Sequence, residues 1–196
     1  MFTRSLGVSG PTSSAIGLGC MGMSDFYGPS DRSESIAAIR AALDANVTLL
    51  DTGDFYGMGH NEMLISEAIQ SRPRDQIILS VKFGAQRNPA GKWVGFDGRP
   101  AAVKTALAYT LKRLGKDHID IYRPARLDPN VPIEDTVGAI AEMVKAGYVA
   151  TSPNTPSFPF KIKCCVDQLR PPTKADIAAH PPASCWWDER VLADAQ

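Results

Sequence analysis

The sequence predicts an α/β fold in which parallel strands are covered by helices, in about four βα units. Three observations lead there. Short apolar runs alternate with helical patterns from residue 15 to residue 149. Each helical pattern is long enough to serve as a crossover, which parallel neighbours need and a tight hairpin cannot supply. Proline and glycine punctuate the ends of the helical patterns, so these are separate elements and not one long period. On the residues alone, four such units are half of an eight-fold barrel or part of an open doubly wound sheet.

The first strand is the run AIGLGC at 15–20. The helix after it spans 31–45, with Ile36, Ile39 and Leu43 on one face and Ser30 or Asp31 as N-cap. VTLLD at 47–51 is the second strand, and 61–72 the second helix, where Leu64, Ile65, Ala68 and Ile69 share a face and Pro73 stops the pattern. The third strand is IILSVK at 77–82. Its helix, 100–114, carries the stripe Val103, Leu107, Leu111 and Leu114, with Pro100 in the first turn and Gly115 as C-terminal cap. IDIYRP at 119–124 is the fourth strand, and Ile133, Val137, Ile140 and Val144 mark a last helix over 132–146, closed by Gly147.

After Val149 this alternation ends. Residues 150–196 hold seven of the fifteen prolines, three of the four cysteines and two of the three tryptophans, with no sustained period of either kind. The expected organisation is therefore a partial barrel over 1–149 and an irregular tail over 150–196 with no recognisable domain.

Composition excludes several classes of function. Formal net charge is zero, with 21 basic and 21 acidic residues, so bulk charge favours neither nucleic acid nor a membrane surface. No window approaches the run of about 18 apolar residues that a span requires, and the N-terminus shows no secretory signal. Cys20, Cys164, Cys165 and Cys185 have neither the density of a disulfide scaffold nor the spacing of a metal site. A reducing, cytoplasmic setting is the expectation. Zinc clusters, nucleophile elbows and P-loops are not found in the sequence.

The segment LLDTGDFYGMGHNE, residues 49–62, carries the chemistry. A strand ending in Asp51 sets a carboxylate at its C-terminal rim, and the loop after it can fold Tyr56 over the same pocket. Lys82 ends the next strand, and in a parallel barrel such strand ends converge. An ammonium beside a phenol favours the phenolate and draws its pKa down from about 10. Together the three make a tyrosine able to give a proton to a carbonyl oxygen. Singly, each has a blander reading: an aspartate caps, a tyrosine packs and a lysine is solvated. The ordered set outweighs them.

LLDTGDFYGMGHNEMLISEAI and ILSVKF resemble the aldo-keto reductases, (β/α)8 barrels that reduce aldehydes and ketones with NADPH. IGLGCMGMSDFYG is similar to the family's first-strand motif, and KRLGKDHIDIY to its approach to the fourth strand. The match covers roughly residues 1–149. The resemblance implies a partial (β/α)8 TIM barrel. It assigns Asp51, Tyr56 and Lys82 to three positions of the catalytic tetrad, with Tyr56 as proton donor, and sets Cys20, Met21 and Asp51 against the nicotinamide. The implied cofactor is NADPH and the implied substrate a small carbonyl compound, with no nucleic-acid or membrane partner.

Two departures qualify the likeness. The fourth tetrad position is usually a histidine, and Ala125 aligns with it; alanine donates no hydrogen bond to a carbonyl. Arg123 and Arg126 are read as solvated, His60 as a minor candidate for the pocket, and His118 as structural at the opposite rim. Secondly, the family's fifth strand, resembling RHIGLSE, is missing after KAGYV. Arg-His-Ile codons such as CGC-CAC-ATC, read one base later, begin Ala-Thr-Ser, the residues at 150–152. The expectation is a truncated or frameshifted member of the family, with an inactive fragment or interaction protein as the alternative to a working reductase. A half barrel would also leave strand edges and an apolar inner face (Leu49, Ile77, Leu79, Ile119, Ile121) open to self-association.

Overall fold

The computed structural model describes residues 1–6, 10–24 and 27–150. The expectations for the tail beyond Ala150, including its separate-domain boundary and frameshifted origin, lie outside the described residues. A hairpin of β1 (Thr3–Ser5) and β2 (Thr12–Ser14) opens the chain. The first unit is β3 (Gly17–Gly19) and α1 (Arg32–Asp44), and the second is β4 (Leu49–Gly53) and α2 (His60–Ala68). β5 (Ile78–Phe83) follows, then a second hairpin of β6 (Ala85–Arg87) and β7 (Trp93–Phe96), and then α3 (Pro100–Leu114). β8 (Ile121–Pro124) and α4 (Ile133–Lys145) complete the fourth unit.

The four parallel strands pair in the order β3–β4–β5–β8, so the α/β fold of about four βα units is observed. Local chemistry explains the helix bounds. Asp31 caps α1, its carboxylate accepting from the Glu34 N–H at 2.8 Å. Pro100 stands in the first turn of α3, and Gly115 ends it in the left-handed region at φ 61°. α2 stops at Ala68, short of the expected 72. Its last turns tighten, with Gln70 N–H on Glu67 and Arg72 N–H on Ile69, because Pro73 disfavours helical backbone at the residue before it.

In parallel strands, register partners face the same side. Leu50, Thr52, Leu79, Val81 and Tyr122 thus share one face, where they pack with Ile39, Leu64, Ile65, Val103, Leu107 and Ile140 of the helices. Burying each large aliphatic side chain there contributes about 1.5–3 kcal/mol. The opposite face carries Leu49, Asp51, Ile78, Ser80, Lys82, Ile121 and Arg123. This corrects the expected open apolar face: Ile77, Leu79 and Ile119 belong to the buried core. That other face is largely polar at its C-terminal rim.

One isolated bridge lies just beyond the fourth helix. Val149, fully buried, bridges in parallel to Ile119; Ile119 N–H donates to Tyr148 C=O at 3.1 Å, and Ala150 N–H returns to Ile119 C=O at 2.7 Å. Both hairpins escape the periodic reading because their strands span three or four residues, too few to show a period. No helix among the described residues is long and apolar enough to cross a membrane.

Candidate active site

Strand period two carries Asp51, Ser80, Lys82 and Arg123 to one rim. Asp51 pairs with Ser80 across β4–β5, and Lys82 with Arg123 across β5–β8. Tyr56 arrives by the loop after β4. Gly57 and Met58 both sit in the left-handed region, at φ 54° and 53°, which reverses the chain directly behind the tyrosine. Met58 is the costlier of the two, since a non-glycine residue there is uncommon. The turn is anchored by Asn61, fully buried at the start of α2. Its Oδ1 accepts from Thr52 Oγ1 at 2.6 Å, and its Nδ2 donates to the Cys20 carbonyl at 2.7 Å and to Ser24 Oγ at 2.9 Å. One amide thus ties the loop to the ends of β3 and β4.

The three expected residues meet. Lys82 Nζ donates to the Tyr56 hydroxyl at 2.7 Å and lies 2.9 Å from Asp51 Oδ2. The other carboxylate oxygen, Oδ1, accepts from Ser80 Oγ at 3.1 Å and from Arg123 Nη2 at 2.7 Å. Phe55 packs edge-on against Tyr56, ring centres 4.8 Å apart, and Trp93 against Phe55 at 5.6 Å, so an aromatic wall runs from the phenol to the second hairpin.

Electrostatics correct one expectation. Tyr56 is 2 % exposed, and burial raises its pKa above the usual phenol value; the Lys82 ammonium lowers it, by less. The phenol keeps its proton and is not drawn towards ionisation at neutral pH. A second correction concerns Arg123, which is no solvated side chain but the partner of Asp51. Arg126 is exposed, as expected.

The remaining candidates divide. Cys20 is enclosed, and burial, then Asp51, push its thiol up to about 12, against the Lys82 charge. It stays protonated. Met21 is partly exposed and opens a short 3-10 turn, Met21–Met23. Gly19 is the register partner of Asp51, and a Cβ built on it would meet no atom within 4 Å. That open space beside Asp51 can admit a flat ring. His60 is engaged by Ser24, 2.9 Å from Nδ1, and the His118 carbonyl accepts from Arg74 at 3.1 Å. No group of three metal-ligating side chains occurs among the described residues.

Behind the rim lies a charged cluster that residue patterns do not reveal. Glu62, fully buried, pairs with Arg113, while Asp54 is pushed up to about 7 by burial and then by Glu62. Gly84 and Phe55 N–H groups support one side of the Asp54 carboxyl, and its Oδ1 has no partner. Of the residues missed, Ser80 has the clearest signal, standing two before Lys82 on the same strand face.

Comparison with known proteins shows a family. The model of the aldo/keto reductase family matches residues 15–152. The chain is 38% identical over 148 residues to the NADP(+)-designated aldo-keto reductase yakc of Schizosaccharomyces pombe, covering 75% of this chain and 43% of that one. It is equally 38% identical over 147 residues to a probable aldo-keto reductase of Glycine max, covering 74% of this chain and 42% of the other. Among solved structures, an aldo-keto reductase from Bacillus halodurans in its holo form superimposes with a TM-score of 0.68 at 32% identity, over 76% of this chain and 48% of its own. A thermostable aldo-keto reductase solved with the inhibitor epalrestat gives 0.65 at 31%, over 76% and 52%. The chain spans under half the length of these curated relatives.

Proposed function

The chain belongs to the aldo/keto reductase family, and from that premise we propose that residues 1–149 carry the proton-donor side of a site that reduces an aldehyde or ketone with NADPH. The observation that carries this reading is the contact series Asp51–Lys82–Tyr56 at one rim. Tyr56 gives its proton to the carbonyl oxygen, and the Lys82 ammonium, already in contact, stabilises the phenolate left behind. Asp51 holds Lys82 in that place. A nicotinamide, when bound, supplies the hydride. The opening at Gly19, with Met21 beside it and Asp51 across from it, fits the nicotinamide end of the cofactor. The NADP(+) designation of the fission-yeast relative supports NADPH over NADH. A cytoplasmic setting belongs to the same reading, supported by the free, buried thiol of Cys20.

A second reading is a catalytically silent fragment or interaction protein of that family, favoured by Ala125, which offers a carbonyl no hydrogen-bond donor. One assay separates the two. NADPH oxidation with a neutral aromatic aldehyde, and NADPH binding by calorimetry, are measured on the full chain and on Tyr56→Phe. The reductase reading expects turnover that falls about 100-fold or more in the variant while NADPH still binds. Turnover indifferent to Tyr56→Phe would overturn it. Absence of both binding and turnover would establish the silent fragment.

A further inference from the structure

Arg123 stands out on the polar face because the site does not need it for neutrality. Asp51 already has a cation: Lys82 lies 2.9 Å from Oδ2. Arg123 adds a second, 2.7 Å from Oδ1, so that one carboxylate separates two cations and the rim carries an excess positive charge. Such a charge, with the Lys82 and Arg123 side chains only 21% and 29% exposed, is costly unless something anionic completes it. Only Nη2 of the guanidinium is engaged; its other N–H groups donate to none of the described residues.

Position strengthens the point. Arg123 is the register partner of Lys82, on a neighbouring strand about 4.8 Å away, and Lys82 touches the Tyr56 hydroxyl. Ala125, two residues on at the same rim, is half-buried and has no side-chain donor. The orienting donor that a neutral carbonyl would need at position 125 is missing, while a planar fork suited to a carboxylate stands one rung below it.

We propose that Arg123 binds a carboxylate carried by the substrate next to its carbonyl, which makes oxo acids, rather than neutral aldehydes, the preferred substrate class of this site. The inference rests on the carbonyl-reducing reading for what happens after binding, but the carboxylate contact itself needs neither cofactor nor phenol. The fork holds the carboxylate, and the adjoining carbonyl oxygen then lies towards Tyr56.

The test is calorimetric, on the full chain, without nucleotide and at low ionic strength, with oxamate as probe and its neutral counterpart oxamide beside it. Oxamate should bind and oxamide should not. Arg123→Gln should weaken oxamate at least tenfold. Arg123→Lys keeps a cation on Asp51 but loses the fork; it should weaken oxamate several-fold, and it decides the matter should Arg123→Gln fail to fold. No oxamate binding by the wild-type chain, equal binding by wild type and both Arg123 variants, or acetate binding as tightly as oxamate would each overturn the proposal. Arg123-dependent oxamate binding in a chain that turns over no carbonyl would uphold the anion site and sink the reductase reading alone.

Discussion

The Lys82 ammonium donates to the Tyr56 hydroxyl at 2.7 Å, yet the tyrosine holds its proton more tightly than a free phenol. Two effects oppose each other here. Enclosure of a side chain only 2 % exposed penalises the phenolate, and the nearby ammonium and guanidinium favour it. Burial prevails, because the same low dielectric that strengthens the cations' attraction also strips the phenolate of water.

A titration follows. The near-ultraviolet difference between wild type and Tyr56→Phe isolates one tyrosine among five. Its tyrosinate band should emerge only above the usual pH of about 10. Lys82→Met removes the largest opposing charge and should move it higher still. Any reduction that takes its proton from Tyr56 should not fall off on its account before that pH. Tyrosinate appearing a unit below the usual value would show that the ammonium wins.

Asn61 concentrates more structural consequence than any other polar side chain near the site. Asn61→Ala leaves the Thr52 hydroxyl without its partner in a fully buried place and takes one of two donors from the Cys20 carbonyl, which keeps only the Met23 N–H. The expected cost is about 2–4 kcal/mol. It should appear as a lower urea midpoint with an unchanged slope, together with loss of the near-ultraviolet circular dichroism of the Phe55–Tyr56 pair. A loss under about 1 kcal/mol would show that the loop is held by its left-handed turn alone.

Half of the site is legible in the sequence alone. Asp51, Tyr56 and Lys82 announce themselves because each closes an apolar run or follows one in a glycine-rich turn, and strand ends converge by topology. Arg123 does not. Its identity is visible, but its face depends on register with Lys82, and register between strands 41 residues apart is set by packing. Asp54, Glu62 and Arg113 are hidden for a different reason. They are charged residues at ordinary loop and helix positions, and only tertiary packing encloses them. Helices read well because caps and prolines are local; the β6–β7 hairpin does not, although Asn88 accepts from Ala90 and Lys92 N–H groups and Gly91 takes φ 77° in its turn.

Asp54 should make stability depend on pH. Its folded pKa of about 7 lies above the ordinary 3.8, so between those values the folded state binds more protons than the unfolded chain. The stabilisation is therefore complete below the unfolded value and is lost as pH rises through about 7. A difference of that size corresponds to on the order of 4 kcal/mol. Asp54→Asn abolishes the titration while keeping an acceptor for the Gly84 and Phe55 N–H groups. It should raise the thermal midpoint at pH 8 and change it less at pH 5. An equal shift at both pH values would mean that Asp54 stays ionised throughout and that Arg113 neutralises it along with Glu62.

The last prediction concerns edges. Among the described residues, β3 pairs only with β4 and β8 only with β5, the one bridge beyond it joining Val149 to Ile119, two residues before β8 begins. A closed barrel has no such rows of unpaired N–H and C=O groups. Those groups find partners in water or in another strand, and the second choice is favoured where backbone is exposed and lacks guarding charge. Gly19, at the end of β3, is exposed and flanked by the apolar Leu18 and Cys20. Light scattering coupled to size-exclusion chromatography should therefore show concentration-dependent association of the full chain. A charge at the free edge, Leu18→Lys, would disturb the core that Leu18 packs against, so Gly19→Lys is the cleaner probe: its Cβ meets no atom, and it should shift the chain towards monomer. A monodisperse chain of 21.1 kDa at all concentrations, unaffected by Gly19→Lys, would show that both edges are already covered within one molecule.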